Sequence, residues 1–267
     1  MNNISQKLYK KLLAVPYAIV IPLVLWIIAS SNLFGFSEKS RDLTLDFLTQ
    51  SFPYDEVFQS YAEEMLFIDI DEKSLNEIGQ WPWPRQTMAN IFKEIDKKQP
   101  LVVGVDIIFS ENDRYASKNL AEFFNIDETE LNVLGIKDGD KDLADTMLEK
   151  PYVIAISAID KNDQSQEKQA VISGKMVVIN AADELLYQAD KLLTPIKALE
   201  NTTGFGFVNT IKEDGIIRKT PLILNINNQL YPSLNLDMIR VAQNASTHIV
   251  KKDDVGDKLL VKSGEMV

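Results

Sequence analysis

The pattern of apolar and polar positions opens with LLAVPYAIVIPLVLWIIAS, residues 12–30, which carries no charge. A helix rises about 1.5 Å per residue, and roughly 20 apolar residues cross a bilayer's hydrocarbon core. The run therefore predicts a transmembrane helix over residues 12–31. Pro16 and Pro22 are costly in a soluble helix and tolerated in a membrane span, and Trp26 suits the headgroup layer. A cleaved signal peptide is the competing reading, with Ala29-Ser30-Ser31 as its small-residue site. Its apolar core would be shorter, about 7–15 residues, so an uncleaved anchor is the expectation.

Beyond the span, Leu43, Phe47 and Leu48 recur at helical spacing and predict a short amphipathic helix closed by Phe52-Pro53-Tyr54. Residues 65–70 are apolar with acids at the end and read as a buried strand, followed by a helical turn from Asp71 or Ser74 to Gly79. Two prolines stiffen QWPWPR, residues 80–85. From Arg85 to Lys98, Met88, Ile91, Phe92 and Ile95 mark the apolar face of a helix that Pro100 stops. LVVGVDIIF, residues 101–109, suits a strand buried on both faces of a parallel sheet, and strand, helix and strand together predict a right-handed βαβ unit.

Residues 110–150 are acidic with helical stretches. YVIAISAI and KMVVIN read as strands, KNDQSQEKQ as a solvated loop, and ADELLYQADKLL as a helix or part of one. GFGFVN and IIRKTPLILNI flank Asp214-Gly215, a strong hairpin signal. Gln229 to Tyr231 begins a return, and Pro232 opens a last helix. The fold class is α/β: an N-terminal transmembrane helix, then a mixed α/β domain with a βαβ unit and a later antiparallel hairpin.

Charge changes the picture. The first 11 residues carry three lysines and no acid, which leaves −14 on the rest of a chain whose net charge is −11. Lysines ahead of a span hold that end inside the cell. The expected layout is a cytoplasmic N-terminus over 1–11, a single span over 12–31, and an extracytoplasmic domain over 32–267, in the inner or plasma membrane. An acidic chain lacks the basic patch of a nucleic-acid binder. No cysteine means no disulfide, thiolate nucleophile or zinc ribbon. A single histidine, His248, excludes multi-His metal sites.

The chemistry-bearing candidates are the acids at strand ends. Asp69 and Asp71 follow one predicted strand, and Asp106 lies within the next. Ligands of open α/β sheets bind beyond the carboxyl ends of strands. Such acids could hold Mg²⁺ or Ca²⁺, or could cap helices and pair with Arg85. Metal binding is left open. Asp-x-Asp after an apolar strand is also the nucleophile pattern of haloacid-dehalogenase-like phosphohydrolases, but Glu72-Lys73 stands where a small hydroxyl residue usually follows. His248 reads as a surface or strand-edge residue, since no G-x-S-x-G elbow exists for a triad. WPWPR reads either as a ligand wall with Arg85 as an anion anchor or as a support that orients the next helix.

These motifs together resemble the CHASE domain of type two, the extracytoplasmic sensory module of bacterial receptors. The resemblance rests on Asp69, Asp71, Gly79, Trp81 to Arg85, Gly104, Asp106, Phe109, Gly206, Phe207, Asn209, Asp214, Gly215 and Arg218. It covers about residues 36–260. Lys212 stands where the family often has an aspartate. The family's domain usually continues into more strands and further spans that lead to a cytoplasmic kinase or nucleotide cyclase, so the chain is expected to lack that C-terminal section. The resemblance carries over no catalytic residue and no cofactor, and implies a sensor rather than an enzyme. Expected ligand contacts are Asp69, Asp71, Trp83, Arg85 and Asp106. The expected partners are the membrane, an unidentified small-molecule or protein signal, and a second copy in a homodimer. A ligand-independent envelope-interaction module is the alternative, with the Mg²⁺-dependent phosphohydrolase behind it.

Overall fold

The computed structural model describes residues 22, 26, 36–51, 65–159, 175–179, 186–213, 216–253 and 259–264. The basic N-terminus, nearly all of the expected span, the polar loop after residue 160 and the Asp214-Gly215 turn lie outside the described residues. Among the described residues no helix is long and apolar enough to cross a membrane. The chain divides into two compact units, Met1–Asp71 and Glu72–Val267.

The first unit holds helix α1, Phe36–Ser51, over the predicted amphipathic stretch; its expected stop at Phe52-Pro53-Tyr54 lies outside the described residues. Thr44 and Thr49 return their hydroxyls to the carbonyls of Ser40 and Leu45, which satisfies them within the helix. Residues 65–70 correct the sequence reading: they form no strand, and Leu66 and Phe67 are exposed. Apolar composition alone does not make a strand, which exists only through a ladder partner. The predicted βαβ unit therefore lacks its first strand.

The second unit begins with α2, Glu72–Ile78. Gly79, at φ +116°, ends it, with its N–H on the Leu75 carbonyl at 3.0 Å. That backbone conformation favours glycine. Helix α3, Arg85–Asp96, buries Met88 and Phe92 of the predicted face together with Ala89, while Ile91 and Ile95 are half-buried. Strand β1 is only Val103–Val105. The run predicted over 101–109 is cut short because the chain leaves the ladder: Asp106 is exposed, and Phe109 turns inward to complete burial. The acidic stretch forms α4 (Ser117–Phe124), α5 (Glu128–Val133) and α6 (Gly139–Met147). Asp127 and Asp138 cap the last two by accepting the N–H groups of Thr129 and Lys141.

Strand β2, Tyr152–Ile159, is the axis of the main sheet. It pairs in parallel with β1 on one side and with β6, Gly204–Phe207, on the other. Its far end pairs antiparallel with β5, Lys191–Leu193. Residues 152–156 are wholly buried, as expected for a continuous apolar run. Side chains alternate between faces. Tyr152 points to the face where Phe92 of α3 meets its ring at 5.2 Å, and its hydroxyl donates to Asp96 at 2.7 Å. The register Gly104–Val153–Gly204 and Ala155–Gly206 makes the opposite face almost free of bulk. Helix α7, Leu234–Ala242, lies on that floor, capped by the Ser233 hydroxyl.

The remaining strands form smaller sheets. β3 (Met176–Ile179) lies parallel to β11 (His248–Lys252), which pairs antiparallel with β12 (Leu259–Ser263). β9 (Ile223–Ile226) and β10 (Gln229–Pro232) form a hairpin around Asn227 and Asn228, both at positive φ, and β4 (Tyr187–Gln188) joins β9. The Asp-Gly hairpin is built from β7 (Ile211–Glu213) and β8 (Ile216–Lys219). GFGF and ILNI, read as its flanks, belong to other sheets. ADELLYQADKLL is likewise corrected: its described part is β4 and β5, where pairing overrides helix propensity. Leu186, Ile223, Leu230, Leu236 and Val250 form a core beneath the outer side of α7.

Candidate functional site

WPWPR folds into a tie between loops. Trp83 is buried, donates its indole N–H to the Gly79 carbonyl at 2.6 Å and meets Trp81 edge to face. Pro84 is the N-cap of α3, the orienting role that the sequence allowed. Arg85 is buried, with its guanidinium 4.6 Å from the centre of the Phe109 ring. Its Nη2 donates to the Glu111 carbonyl at 3.1 Å, and its backbone N–H to Asp113 Oδ2 at 3.0 Å. Asp140 Oδ2 accepts the Asp113 N–H at 2.9 Å. Two of the motif stretches, WPWPR and G-x-D-x-x-F, therefore meet at Arg85 and Phe109.

The charges in this tie are strained by burial. Arg85 Nε and Asp140 Oδ1 stand 3.7 Å apart, and neither has a hydrogen-bond partner. Burial lowers the Arg85 pKa despite Asp140 and Asp113, and raises that of Asp140 despite the Asp113 N–H and Arg85. Desolvation thus outweighs the ion pair on both sides.

The other expected contacts are placed differently. Asp106 is exposed just beyond β1 rather than within a strand. Asp69 and Asp71 are exposed in the first unit. Among the described residues no three acids or histidines come together as a metal site. Trp83 and Arg85, by contrast, are held against protein partners.

A second polar cluster escaped the sequence reading. His248, expected at the surface or a strand edge, is completely buried on the central strand β11. Burial is tolerated because both ring nitrogens find partners. Nε2 lies 3.1 Å from Asp237 Oδ1, and Nδ1 bonds the Ser263 hydroxyl. With Asp237 ionised, Nε2 carries the proton. Asp237 also accepts from Arg240 Nε at 2.6 Å, from Arg240 Nη2 at 3.0 Å and from the Phe205 N–H at 2.9 Å. Burial pushes the Asp237 carboxyl up, but the bonds from His248 and Arg240 outweigh it and hold its pKa below the ordinary 3.8. Ser263, His248 and Asp237 are the residue types of a hydrolytic triad. All three are buried, so the set joins α7 to β6, β11 and β12 rather than meeting a substrate. The sequence signal for it was Asp237 and Arg240 three apart on a helix with an apolar face.

The glycines explain why α7 sits so low. A Cβ on Gly204 would stand 2.2 Å from Asp237 Oδ2, and one on Gly206 would stand 2.4 Å from the Leu234 Cα. The G-F-G spacing thus clears one face of β6 for the helix, not a phosphate. Asn209, just past β6, uses its amide like a strand residue: Oδ1 accepts the Ala158 N–H at 2.6 Å and Nδ2 donates to the Ala158 carbonyl at 2.9 Å.

The motif stretches are thus split: Trp83, Arg85, Phe109 and Phe207 are buried, while Asp69, Asp71 and Asp106 stay exposed. The CHASE2 domain family model matches residues 20–266, nearly the whole chain, and the chain belongs to that family. CHASE2 domains are extracytoplasmic sensory domains rather than catalytic ones. No curated protein and no solved structure matches the chain.

Proposed function

We propose that this chain is the signal-input domain of a membrane-bound bacterial receptor, anchored by residues 12–31 and facing outside the cytoplasm, whose output is a kinase or nucleotide cyclase. The observation that carries this reading is the family match across residues 20–266. The basic N-terminus and uncharged run support the orientation. A signal acts by binding one packing of the domain, or one dimer arrangement, better than another. Asp106, exposed beside the braced Arg85–Phe109 loop, is the proposed direct contact in the second unit, with Trp83 and Arg85 holding its surroundings. Asp69 and Asp71 are proposed contacts in the first unit on the strength of their own exposure.

The test has two parts. Alkaline phosphatase joined after Val267 should be active in intact cells, because that enzyme matures only outside the cytoplasm. An antibody against residues 37–267 should detect a native membrane protein well above 30.2 kDa. A phosphatase fusion silent in cells overturns the orientation, and a native band at 30.2 kDa overturns the receptor reading in favour of action through a partner protein.

A further inference from the structure

The hairpin of α4 and α5 displays apolar side chains outward. Phe123 is 81% exposed and Val133 88%, with Phe124, Ile126 and Leu134 also exposed. Ordinary surfaces scatter such residues singly, whereas here five of them fall between positions 123 and 134. The hairpin is firmly based. Ala121 and Leu131 are buried beneath it, the Ser117 hydroxyl bonds Glu128 at 2.6 Å, and Asn119 donates to the Asp113 carbonyl at 2.6 Å. Phe123 and Phe124 meet edge to face, with ring centres 5.1 Å apart. Exposed apolar rings thus stand on a fixed platform.

The charge around them selects the occupant. Glu122, Asp127, Glu128, Glu130 and Asp138 fall in the hairpin and its exit, against Lys118 and Lys137. The bonds from Thr129 lower the Asp127 pKa further and keep it ionised. A second copy docking by the same face would oppose acid to acid. An anionic bilayer would be repelled for the same reason. A helix with an apolar face flanked by lysine or arginine satisfies both features at once, apolar against the rings and cation against the acids.

We infer that the outer face of the α4–α5 hairpin is a docking surface for a cationic amphipathic helix, presented by a peptide or by a basic helical segment of a partner protein. The inference does not rest on the receptor reading, since docking requires no output domain.

The test uses the full chain and three labelled 18-residue probes followed by fluorescence anisotropy. They are a Lys/Leu helix, a scramble of the same composition without an apolar face, and a Glu/Leu helix. The Lys/Leu helix should bind at least about tenfold tighter than either control. Phe123→Ser with Val133→Ser should weaken it about tenfold, although the net charge is unchanged. Both positions are exposed, so near-UV circular dichroism should match the parent. Glu122→Gln with Glu130→Gln provides an independent variant and should weaken binding and reduce its salt dependence. Equal binding of the scramble, or full affinity in both double variants, overturns the proposal. So does a fall in oligomeric mass in the serine variant, which assigns the face to a second copy. Binding of the chain to phosphatidylglycerol vesicles that the serine variant abolishes also overturns it, and assigns the face to a membrane.

Discussion

Asp237 is the residue whose loss should cost the fold most for its size. Its carboxylate accepts from Arg240, His248 and the Phe205 N–H, all buried. Asp237→Ala leaves the Arg240 charge without its counter-ion, and breaking a buried pair from one side costs about 3–5 kcal/mol. Arg240 keeps the carbonyls of Ala245 and Thr203, at 3.0 and 2.9 Å, which places its share near the lower end. The orphaned Phe205 N–H adds about 1 kcal/mol or more. The expected loss is therefore about 4 kcal/mol, a large part of the about 5–15 kcal/mol that holds a domain together. For a unit of this size that is a fall in melting temperature of roughly 8–16 °C, read by near-UV circular dichroism on the full chain. Replacing the pair with apolar residues, Asp237→Leu with Arg240→Met, should recover much of the loss, because no buried charge is then left alone.

The same carboxylate sets the direction of a pH effect. Its pKa is depressed in the folded state. Its stabilisation is therefore complete above its ordinary value near 3.8 and is lost as pH falls through the lower, folded value. The stability gap between the parent and Asp237→Asn should be constant at neutral pH and narrow only in that acid window. A loss below about 1 kcal/mol in the alanine variant, or a gap that does not change with acid, would refute the assignment of Asp237 as the anchor.

Three further substitutions test the floor and the tie. Gly206→Ala places a Cβ 2.4 Å from the Leu234 Cα, where only backbone can yield, and should cost about 3 kcal/mol in urea unfolding. Gly104→Ala meets only the flexible Met238 side chain and should cost about 1 kcal/mol or less; equal effects would show that helix approach is not the constraint. Arg85→Lys keeps a cation near Asp140 but loses the planar contact over Phe109 and the bond to the Glu111 carbonyl. A drop of about 2 kcal/mol is expected by thermal melting, and an unchanged melt would show that the planar group is not what the loop requires.

What the sequence revealed follows from how local each signal is. Helix α3 showed itself because Met88 and Phe92 recur on one face, and β2 because a run that is apolar but for Ser157 has nowhere to go but a core. The Asp-Gly hairpin was legible in its IIRK arm, which is β8. GFGF and ILNI misled, because they are equally apolar and their partners, β2 and β10, are fixed by tertiary packing. ADELLYQADKLL failed for the same reason, since β5 is a strand only because the end of β2 offers it a ladder. At the site, Trp83 and Arg85 stood out by composition. Their partners, Asp113 and Asp140, lie 28 and 55 positions beyond Arg85 in the chain, a distance that no spacing rule covers. His248 was misplaced because a lone histidine gives no sign of its partners, and Ser263 and Asp237 reach it from another strand and a helix.

Helix α7 touches strands of three sheets. It rests on β1, β2 and β6, and at Gly206 its first turn comes so near the strand that a Cβ would meet the Leu234 backbone, which leaves that end little freedom to tilt towards the sheet. Its opposite side enters the core of the β9–β10 hairpin through Leu236, and Asp237 ties it to His248 of β11 and through that ring to Ser263 of β12. A displacement of α7 therefore cannot be absorbed locally. It must either break a buried ion pair worth several kcal/mol or carry β11 and β12 with it.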